Sequence, residues 1–449
     1  MPSEVAVAGS LPQKDLEQIV SAALEEARLS GADQAEAGVS VNAGLGVTVR
    51  LGEVETLEYQ RDRGLAVTVY FARRKGSAST ADLSEAAVRE TVAKACSIAR
   101  FTAADECAGL ADAELMARDW PDLSLSHPWD LTPEASIEIA RACEAAALAH
   151  DPRVRNSEGA SLGTNRDLRV YGNSHGFVGG FASTSHSLSC AVVGTQGDEM
   201  QRDYWYTNSR DWRDLDDAER VGKVSAQRTV ARLGSRKLAT RKAPVMFSPE
   251  LARGFFGHFL GAIRGGSQYR KSSFLLGAAG QQVFPTFLQV SERPHLAKGN
   301  ASSPFDNEGV ATRDRELVQD GVLQGYILSA YSARKLGLAT TGNAGGNHNL
   351  LVSHRGEDEK GLLRRMGTGL LVTELMGQGV NIVTGDYSRG AAGFWVENGE
   401  IAYPVHEITI AGNLRNMMLG IVTVGGDVDT RGGVRTGSVL VEEMTIAGE

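Results

Sequence analysis

A β-hairpin predicted at residues 385–401, GDYSRGAAGFWVENGEI, places the tightest constraint on the fold of this chain. Asn398-Gly399 is a two-residue turn that accepts positive φ at both positions. The apolar run 394–396 indicates a buried strand, and Ile401 begins the returning strand. Asp320-Gly321 predicts a second hairpin of the same kind. We therefore expect tight turns and antiparallel strands in the second half of the chain.

The length of 449 residues is too great for one ordinary hydrophobic core, so two domains are expected. Helical and strand patterns mix in the first half, whereas short strands and glycine dominate beyond about residue 280. The basic segment 235–242 resembles a linker. We predict an α+β protein with a flexible tail at 1–12, an N-terminal α+β domain with antiparallel strands at 13–240, and a C-terminal β-rich domain at 241–449.

Hydrophobic periodicity and capping residues predict the individual elements. Helices are expected at 15–29, from the cap Ser84 to residue 100, from the cap Thr132 onward, at 214–233, and after the Ser248-Pro249 start. Strands are expected at 44–50, 54–59, 65–72, within 161–193, at 243–247, beside the turn at 320–321, and at 436–446. The stretch 102–131 is predicted to be irregular.

Charge and composition exclude several classes of protein. The net charge of −9 argues against a nucleic-acid-binding surface, which needs concentrated Lys and Arg. The N-terminus lacks the pattern of a secretory signal, and no run approaches the roughly 20 apolar residues of a membrane span. The four cysteines form no CxxC motif and are typical of reduced thiols. We expect a cytoplasmic protein with no nucleic-acid or membrane partner.

Three segments match known functional motifs but are not expected to have the function of those motifs. The GxSxG match at 159–163 is followed by a strand pattern, so we expect a glycine-flanked turn and not a nucleophile elbow. The glycines at 342–346 lack the Lys-Ser/Thr of a phosphate-binding loop. His258 lies on the helix predicted after Ser248, but Gly254 and Ala262 stand four residues away. No metal-binding pair exists on this helix, and His258 is predicted to be a packed or interface residue.

Eight segments spread over both halves carry a family resemblance. They are residues 76–80, 171–176, 256–258, 269–272, 332–338, 366–380, 385–401 and 407–414. In these segments the chain resembles the PmbA branch, also called TldE, of the TldD/PmbA metallopeptidase family. The resemblance implies that the fold is shared with the TldD branch, and that the two kinds of subunit pair to enclose a peptide-cutting cleft.

The resemblance also implies where the zinc of such a complex is held. The TldD branch has a helix with the motif HExxxH and a C-terminal cysteine, which together hold a zinc ion. The equivalent helix here contains His258 without that motif, and residues 191–449 contain no cysteine. We therefore expect no catalytic residue, metal site or cofactor on this chain, and zinc on a TldD-like partner. The implied substrates are extended peptides, such as leader peptides and labile small proteins.

Glycine-dense loops in the second half are the candidate walls of the shared chamber. An extended peptide is held by main-chain hydrogen bonds, which glycine-rich backbone can approach closely. The candidate lining residues are Asn347, His348, Tyr387, Ser388 and Arg389. The alternative is that these loops only shape the sheet and satisfy their own amide groups.

Two other functions stay open on the sequence. The chain could be a self-sufficient peptidase, with zinc ligands dispersed among its histidines. Those histidines are His258, His295, His348, His354 and His406, whose spacing gives this hypothesis little support. Alternatively, the chain could bind DNA gyrase or another regulator without proteolysis, as the older proposal for the family has it.

Overall fold

The structure is a computed structural model that describes residues 12–448. Three β-sheets, two of six strands and one of five, are built mainly from antiparallel pairs, and helices pack against them. The predicted α+β class with antiparallel strands is confirmed. The predicted tail at 1–12 lies outside the described residues, apart from Pro12. In the described part of the chain, no helix is long and apolar enough to cross a membrane.

The elements follow in chain order. The α-helices are α1 Gln13–Leu29, α2 Glu85–Phe101, α3 Pro133–His150, α4 Ala218–Ala231, α5 Pro249–Ile263, α6 Gly265–Tyr269, α7 Ala330–Leu336, α8 Glu359–Met366 and α9 Leu414–Leu419. The strands are β1 Gln34–Arg50, β2 Glu53–Phe71, β3 Arg74–Thr80, β4 Val154–Asn173, β5 Val178–Gln196, β6 Glu199–Ser209, β7 Arg241–Phe247, β8 Val290–Arg293, β9 Arg315–Gln319, β10 Val322–Leu323, β11 Asn349–Val352, β12 Gly369–Met376, β13 Asp386–Glu397, β14 Glu400–Asn413, β15 Ile421–Val424, β16 Val434–Arg435 and β17 Val439–Ala447.

Long antiparallel strands form the first sheet, in the order β3-β2-β1-β4-β5-β6. Along β1, the alternate residues Ala35, Ala37 and Val39 pack with α1 and α2, because side chains on a strand point to one face at every second position. Further along the same face, Leu45 and Val47 pack with α3 and α4. One face of this sheet is therefore covered by two successive pairs of helices.

The second half contains the other two sheets, of order β14-β13-β12-β7-β17-β15 and β10-β9-β8-β11-β16. Helix α5 lies in their common hydrophobic core, with its aromatic side chains almost completely buried. Phe255, Phe256 and Phe259 point inward, and the Phe256 and Phe259 rings both contact Phe284. This packing fixes the orientation of α5, and so fixes which of its residues point outward.

All five predicted helices and both hairpins are confirmed. Ser84 and Thr132 accept hydrogen bonds from the backbone of α2 and α3 as N-caps. Asn398 has a φ of 52° and Gly399 a φ of 79°, as the two-residue turn requires. At the start of α5, however, the hydroxyl of Ser248 makes no capping hydrogen bond.

The strand predictions need four corrections. The segments 54–59 and 65–72 belong to one continuous strand, β2, because β1 pairs with it along its whole length. The first half of β1 and the whole of β3 were not predicted. The GxSxG serine lies inside β4 and not in a turn, paired with Thr48 on one side and Ser189 on the other.

The fourth correction concerns the segment that leads into the 385–401 hairpin. Asp386 to Arg389 were expected to form a loop, but they are the first residues of β13 and pair with Asn413 to Ile410 of β14. A glycine-flanked polar segment can extend a ladder when a long partner strand lies alongside. The polar residues of this segment are therefore held on a rigid strand.

The first sheet meets the second half of the chain around a cluster of acidic side chains, in which Glu36 and Glu308 are half-buried. Glu36 of β1 accepts hydrogen bonds from the hydroxyls of Tyr70 (3.1 Å) and Tyr171 (2.9 Å). Glu308 accepts a 2.8 Å bond from the backbone N–H of Ala330 at the start of α7. Burial, with the nearby charges of Asp306 and Glu36, raises the pKa of Glu308 to about 7. Glu36 and Glu308 both line a cavity of about 910 Å³.

The close packing of α2 on β3 at Gly76 generates a stability prediction. A Cβ at this position would lie 2.1 Å from the Ala95 carbonyl oxygen and 2.4 Å from the Ala99 amide nitrogen. We expect Gly76→Ala to lower the free energy of unfolding by about 3 kcal/mol or more, because backbone atoms must move. Gly46→Ala in β1 is the matched control, since nothing lies within 4 Å of its Cβ. Equal urea midpoints for the two variants would contradict the packing.

The raised pKa of Glu308 generates a pH prediction. A carboxyl whose folded-state pKa is raised contributes stability below its unfolded pKa, near 4.5, and loses it as pH rises through about 7. Glu308→Gln cannot ionise, so we expect it to gain about 2–3 kcal/mol relative to the wild type between pH 4.5 and 8. Urea unfolding at several pH values measures this difference. The exposed Glu114→Gln is the control, and a gain of the same size there would refute the assignment.

Candidate functional site

The outward face of α5 is nearly free of side chains. Gly254 and Gly257 are exposed, and a Cβ at either position would meet nothing within 4 Å. His258 is the one imidazole on the helix and is half-buried, with its ring centroid 6.0 Å from that of Tyr387. Burial lowers the pKa of His258, and the positive charge of Arg389 lowers it further. The ring is therefore neutral near pH 7.

This helix does not fit a zinc ion. A catalytic zinc needs three protein ligands, and a single imidazole flanked by glycines supplies one. Among residues 12–448, no group of three or more His, Cys, Asp or Glu side chains is placed to hold a metal ion. The chemistry that a zinc-bound water would provide therefore cannot be assigned to α5 of this chain.

The three candidates on β13 differ in accessibility. Tyr387 is 3% exposed and belongs to the hydrophobic core, so it does not line a surface cleft. Burial raises its pKa to about 12. Ser388 is exposed, and its backbone N–H donates a 2.7 Å hydrogen bond to the carbonyl of Gly379. Arg389 is half-buried beside Tyr387 and His258, and its Nε is a buried donor with no hydrogen-bond partner among the described residues.

The candidates in the 342–349 loop are organised by a buried carboxylate. Glu292, 1% exposed, accepts hydrogen bonds from the His348 backbone N–H (2.8 Å) and from the Asn343 side-chain amide (2.9 Å). Arg315 forms an ion pair with this carboxylate, with its Nε 2.8 Å from Oε2 of Glu292. The imidazole of His348 is 2.9 Å from the carbonyl of Gly342 and is 7% exposed. The loop thus satisfies many of its own polar groups, as the alternative interpretation holds.

Asn347 and His348 also line a cavity between this loop and the first sheet. The cavity measures about 560 Å³, and Arg169, Arg210 and Asp306 also line it. Burial lowers the pKa of Arg169 and of Arg210 and raises that of Asp306. Asp306 accepts hydrogen bonds from the backbone N–H of Ala344 in the loop (2.8 Å) and from those of Glu308 (2.8 Å) and Val310 (3.0 Å). A cavity with these donors fits a carboxylate or the carbonyl oxygens of an extended chain.

The two arginines of this cavity were missed from the sequence. Arg169 donates to Asn307 at 2.8 Å, and Arg210 donates to the carbonyls of Thr184 and Asn300. The Nε of Arg210 is buried without a partner among the described residues. Arg169 lies on β4 and Arg210 directly follows β6, so only the registers that pair β4 with β5 and β5 with β6 could have indicated that these side chains share a wall.

The candidates therefore fall into two sets. His258 and Arg389 both lie beside Tyr387, with Ser388 exposed on the same strand. Asn347 and His348 share a loop and a cavity. Within residues 12–448, no hydrogen bond or ring contact joins the two sets.

The comparisons with known proteins cover nearly the whole chain. The PmbA/TldA metallopeptidase domain 1, central domain and C-terminal domain match residues 35–99, 126–233 and 240–448. Metalloprotease PmbA of Escherichia coli O157:H7 is 54% identical over 438 residues, which are 97% of each chain. The metalloprotease PmbA homolog of Haemophilus influenzae is 50% identical over 437 residues, again 97% of each. The chain belongs to the PmbA/TldE branch of the PmbA/TldD metallopeptidase family.

Solved structures of PmbA/TldE-like proteins have the same fold. A putative modulator of DNA gyrase from Bacteroides thetaiotaomicron has a TM-score of 0.91 at 29% identity, over 96% of this chain and 99% of that one. TldE from Thermococcus kodakarensis has a TM-score of 0.83 over the same shares, and its 19% identity shows the fold alone. The resemblance found in the sequence is confirmed. The predicted division at residue 240 stays a prediction.

Proposed function

We propose that this chain is the metal-free subunit of a heteromeric zinc metallopeptidase of the TldD–TldE type. The observation that carries the proposal is the outward face of α5, where Gly254, Gly257 and a single His258 stand. The inward face of this helix packs in the core, but its outward face has too few metal-binding side chains to hold zinc. A TldD-like partner supplies the zinc, which activates the water that attacks the peptide bond. The relatives named metalloprotease PmbA support a role in proteolysis.

In this proposal, the chain contributes to binding the peptide. Arg169, Arg210 and Asn347 line the 560 Å³ cavity and supply donors for main-chain carbonyl oxygens. Ser388 and the unpaired Nε of Arg389 form a second set of donors beside α5. Contacts of this kind bind the main chain of a peptide and do not depend on its side chains. The proposed substrates are therefore extended peptides, such as leader peptides and labile small proteins. We place the complex in the cytoplasm.

The alternative of a self-sufficient peptidase has no support from the five histidines. His348 is hydrogen-bonded to Gly342, and His295 to the hydroxyl of Thr312 at 2.9 Å. Neither belongs to a group of ligands in the described part of the chain. The gyrase-modulator description applies to the Bacteroides protein, and no feature described here favours that activity for this chain.

The proposal is tested by reconstituting the complex. We expect this chain alone to bind less than about 0.1 zinc per chain and to leave an unstructured peptide intact. Co-purified with a TldD-like subunit, it should form a complex with zinc and zinc-dependent peptide cleavage. Metal analysis and peptide turnover, each with and without the partner, are the measurements. Zinc-dependent cleavage by this chain alone would overturn the proposal.

Arg389 provides the test at the level of one residue. We expect Arg389→Ala to lower kcat/KM of the complex by about tenfold, since one charged donor to a peptide carbonyl is lost. Zinc content and complex formation should stay unchanged. The exposed Arg364→Ala on α8 is the matched control. Equal turnover of both variants would remove Arg389 from the peptide site while leaving the subunit assignment standing.

A further inference from the structure

The first sheet has a second face, opposite the helices, that carries small side chains. Helices α1 and α2 pack against Ala37, Val39 and Leu65 on one face. The alternate positions of the same strands point to the other face. Several of these positions hold glycine, alanine or serine: Gly38 and Ser40 on β1, Gly64 and Ala66 on β2, and Ser79 on β3. Ser40, Ala66 and Ser79 are exposed. We call this surface the bare face.

A cavity of about 750 Å³ lies on the bare face and continues into a second cavity. The second is the 560 Å³ cavity between the first sheet and the 342–349 loop. Ser40, Arg169 and Asn307 line both cavities, so the two form one groove, which we call the sheet groove. The sheet groove crosses from β3, at Ser79, to β5, at Ser183. Four strand spacings separate these strands, a distance of about 19 Å, which is the length of about six residues of extended chain.

The floor of the sheet groove is open to a polypeptide main chain. A Cβ at Gly38 would have only the Val170 carbonyl oxygen within 4 Å, at 3.8 Å. A Cβ at Gly64 would have only the Thr80 carbonyl oxygen within that distance, also at 3.8 Å. Because no side chain stands above these glycines, an extended chain can approach the sheet closely there.

Arg169 is held at the junction of the two cavities. Its guanidinium donates a 2.8 Å hydrogen bond to the side-chain oxygen of Asn307. Its Cζ lies 5.8 Å from the centroid of the Phe181 ring, so the ring supports the guanidinium by a cation–π contact. The Asn307 bond uses one of the five N–H donors of Arg169. The guanidinium is therefore positioned with donors left for a ligand.

The charge of Arg169 has no ion-pair partner among residues 12–448. Arg166 of the same strand, by contrast, pairs with Asp130 at 2.6 Å. Asp306 lies near Arg169, but its carboxylate accepts hydrogen bonds from three backbone N–H groups. In the described part of the chain, no Asp or Glu lines the 750 Å³ cavity. A half-buried cation without a carboxylate partner favours an anionic group from a ligand.

We propose that the sheet groove binds an extended peptide, and that Arg169 forms an ion pair with an Asp or Glu side chain of this peptide. The groove continues on both sides of Arg169, so the peptide passes this residue and presents a side chain to it, not its C-terminus. A carboxylate accepts two parallel hydrogen bonds from a guanidinium, which gives such a pair both strength and geometry. The proposal rests on the proposed function for the ligand being a peptide. It adds a preference for acidic substrates, which main-chain contacts lack.

The first test measures the charge preference of the full-length chain without a partner. The probes are fluorescein-labelled peptides of about ten Gly, Ser and Ala residues, long enough to fill the groove, with a C-terminal amide and one central Glu or Gln. We expect the wild-type chain to bind the Glu peptide at least about tenfold more tightly than the Gln peptide, because a charge-assisted hydrogen bond is lost with Gln. In Arg169→Gln the two Kd values should agree within about threefold. Fluorescence anisotropy gives the Kd values.

The control is Arg155→Gln, which removes the same charge from the other end of β4. Arg155 is exposed and does not line the sheet groove. This variant should keep the wild-type preference, and circular dichroism verifies that both variants are folded. Equal binding of the Glu and Gln peptides by the wild type, or no binding of either at about 1 mM, would overturn the proposal. A Gln peptide with a free C-terminal carboxylate, bound as tightly as the amidated Glu peptide, would overturn it too.

The second test fills the groove. Ser40→Trp places an indole where the two cavities meet, so we expect the Kd of the Glu peptide to rise at least about tenfold. Thr56→Trp is the matched control, because Thr56 is exposed on β2 outside both cavities. It should bind the Glu peptide like the wild type. Equal Kd values for the two tryptophan variants would refute the path across the bare face.

Neither test contains the partner subunit or zinc, so a failure here is distinct from a failure of the proposed function. If zinc-dependent cleavage by the complex is observed without a charge preference of this chain, only the present proposal falls. If the chain prefers the Glu peptide but the complex does not cleave peptides, the assignment to a metallopeptidase falls and the acidic-peptide site stands.

Discussion

The buried carboxylate of Glu292 is the interaction on which the candidate peptide cavity depends. Its charge is compensated by Arg315, and its remaining acceptor capacity is used by the 342–349 loop, through Asn343 and the backbone of His348. Removing one member of a buried charged network destabilises a protein by about 3–5 kcal/mol, because the other members are left unpaired. The loop therefore has one well-defined conformation. Asn347 reaches the cavity because the residues on both sides of it are fixed.

The two faces of helix α5 have different roles. The inward face serves the fold, and the outward face is where metal ligands would stand. Its inward face, with Phe255, Phe256 and Phe259, is needed to fill the core between two sheets. Its outward face has open space, since a Cβ at Gly254 or Gly257 would meet nothing within 4 Å. A helix of this kind can gain or lose ligands on the outside at little cost to stability. One fold can therefore present different sets of side chains on this helix without a change in its core.

Local sequence signals predicted much of the architecture. The caps at Ser84 and Thr132 and the turn at Asn398-Gly399 depend on residues close together in the chain, and they form as expected. Tyr387 shows the limit of such signals. Its polar neighbours and flanking glycines indicated an exposed loop, but pairing with β14 turns the segment into a strand and directs the ring into the core. Burial of that ring is decided by contacts that are distant in sequence.

The candidate site was predictable only in part for the same reason. Asn347 and His348 were identified because their loop is rich in glycine and polar residues. Arg169 lies on β4 and Arg210 directly follows β6, 41 positions further along the chain. They share the cavity with the loop because β4, β5 and β6 pair in one register and because the second half of the chain closes over them. No periodic pattern in the sequence predicts that these residues come together at one cavity.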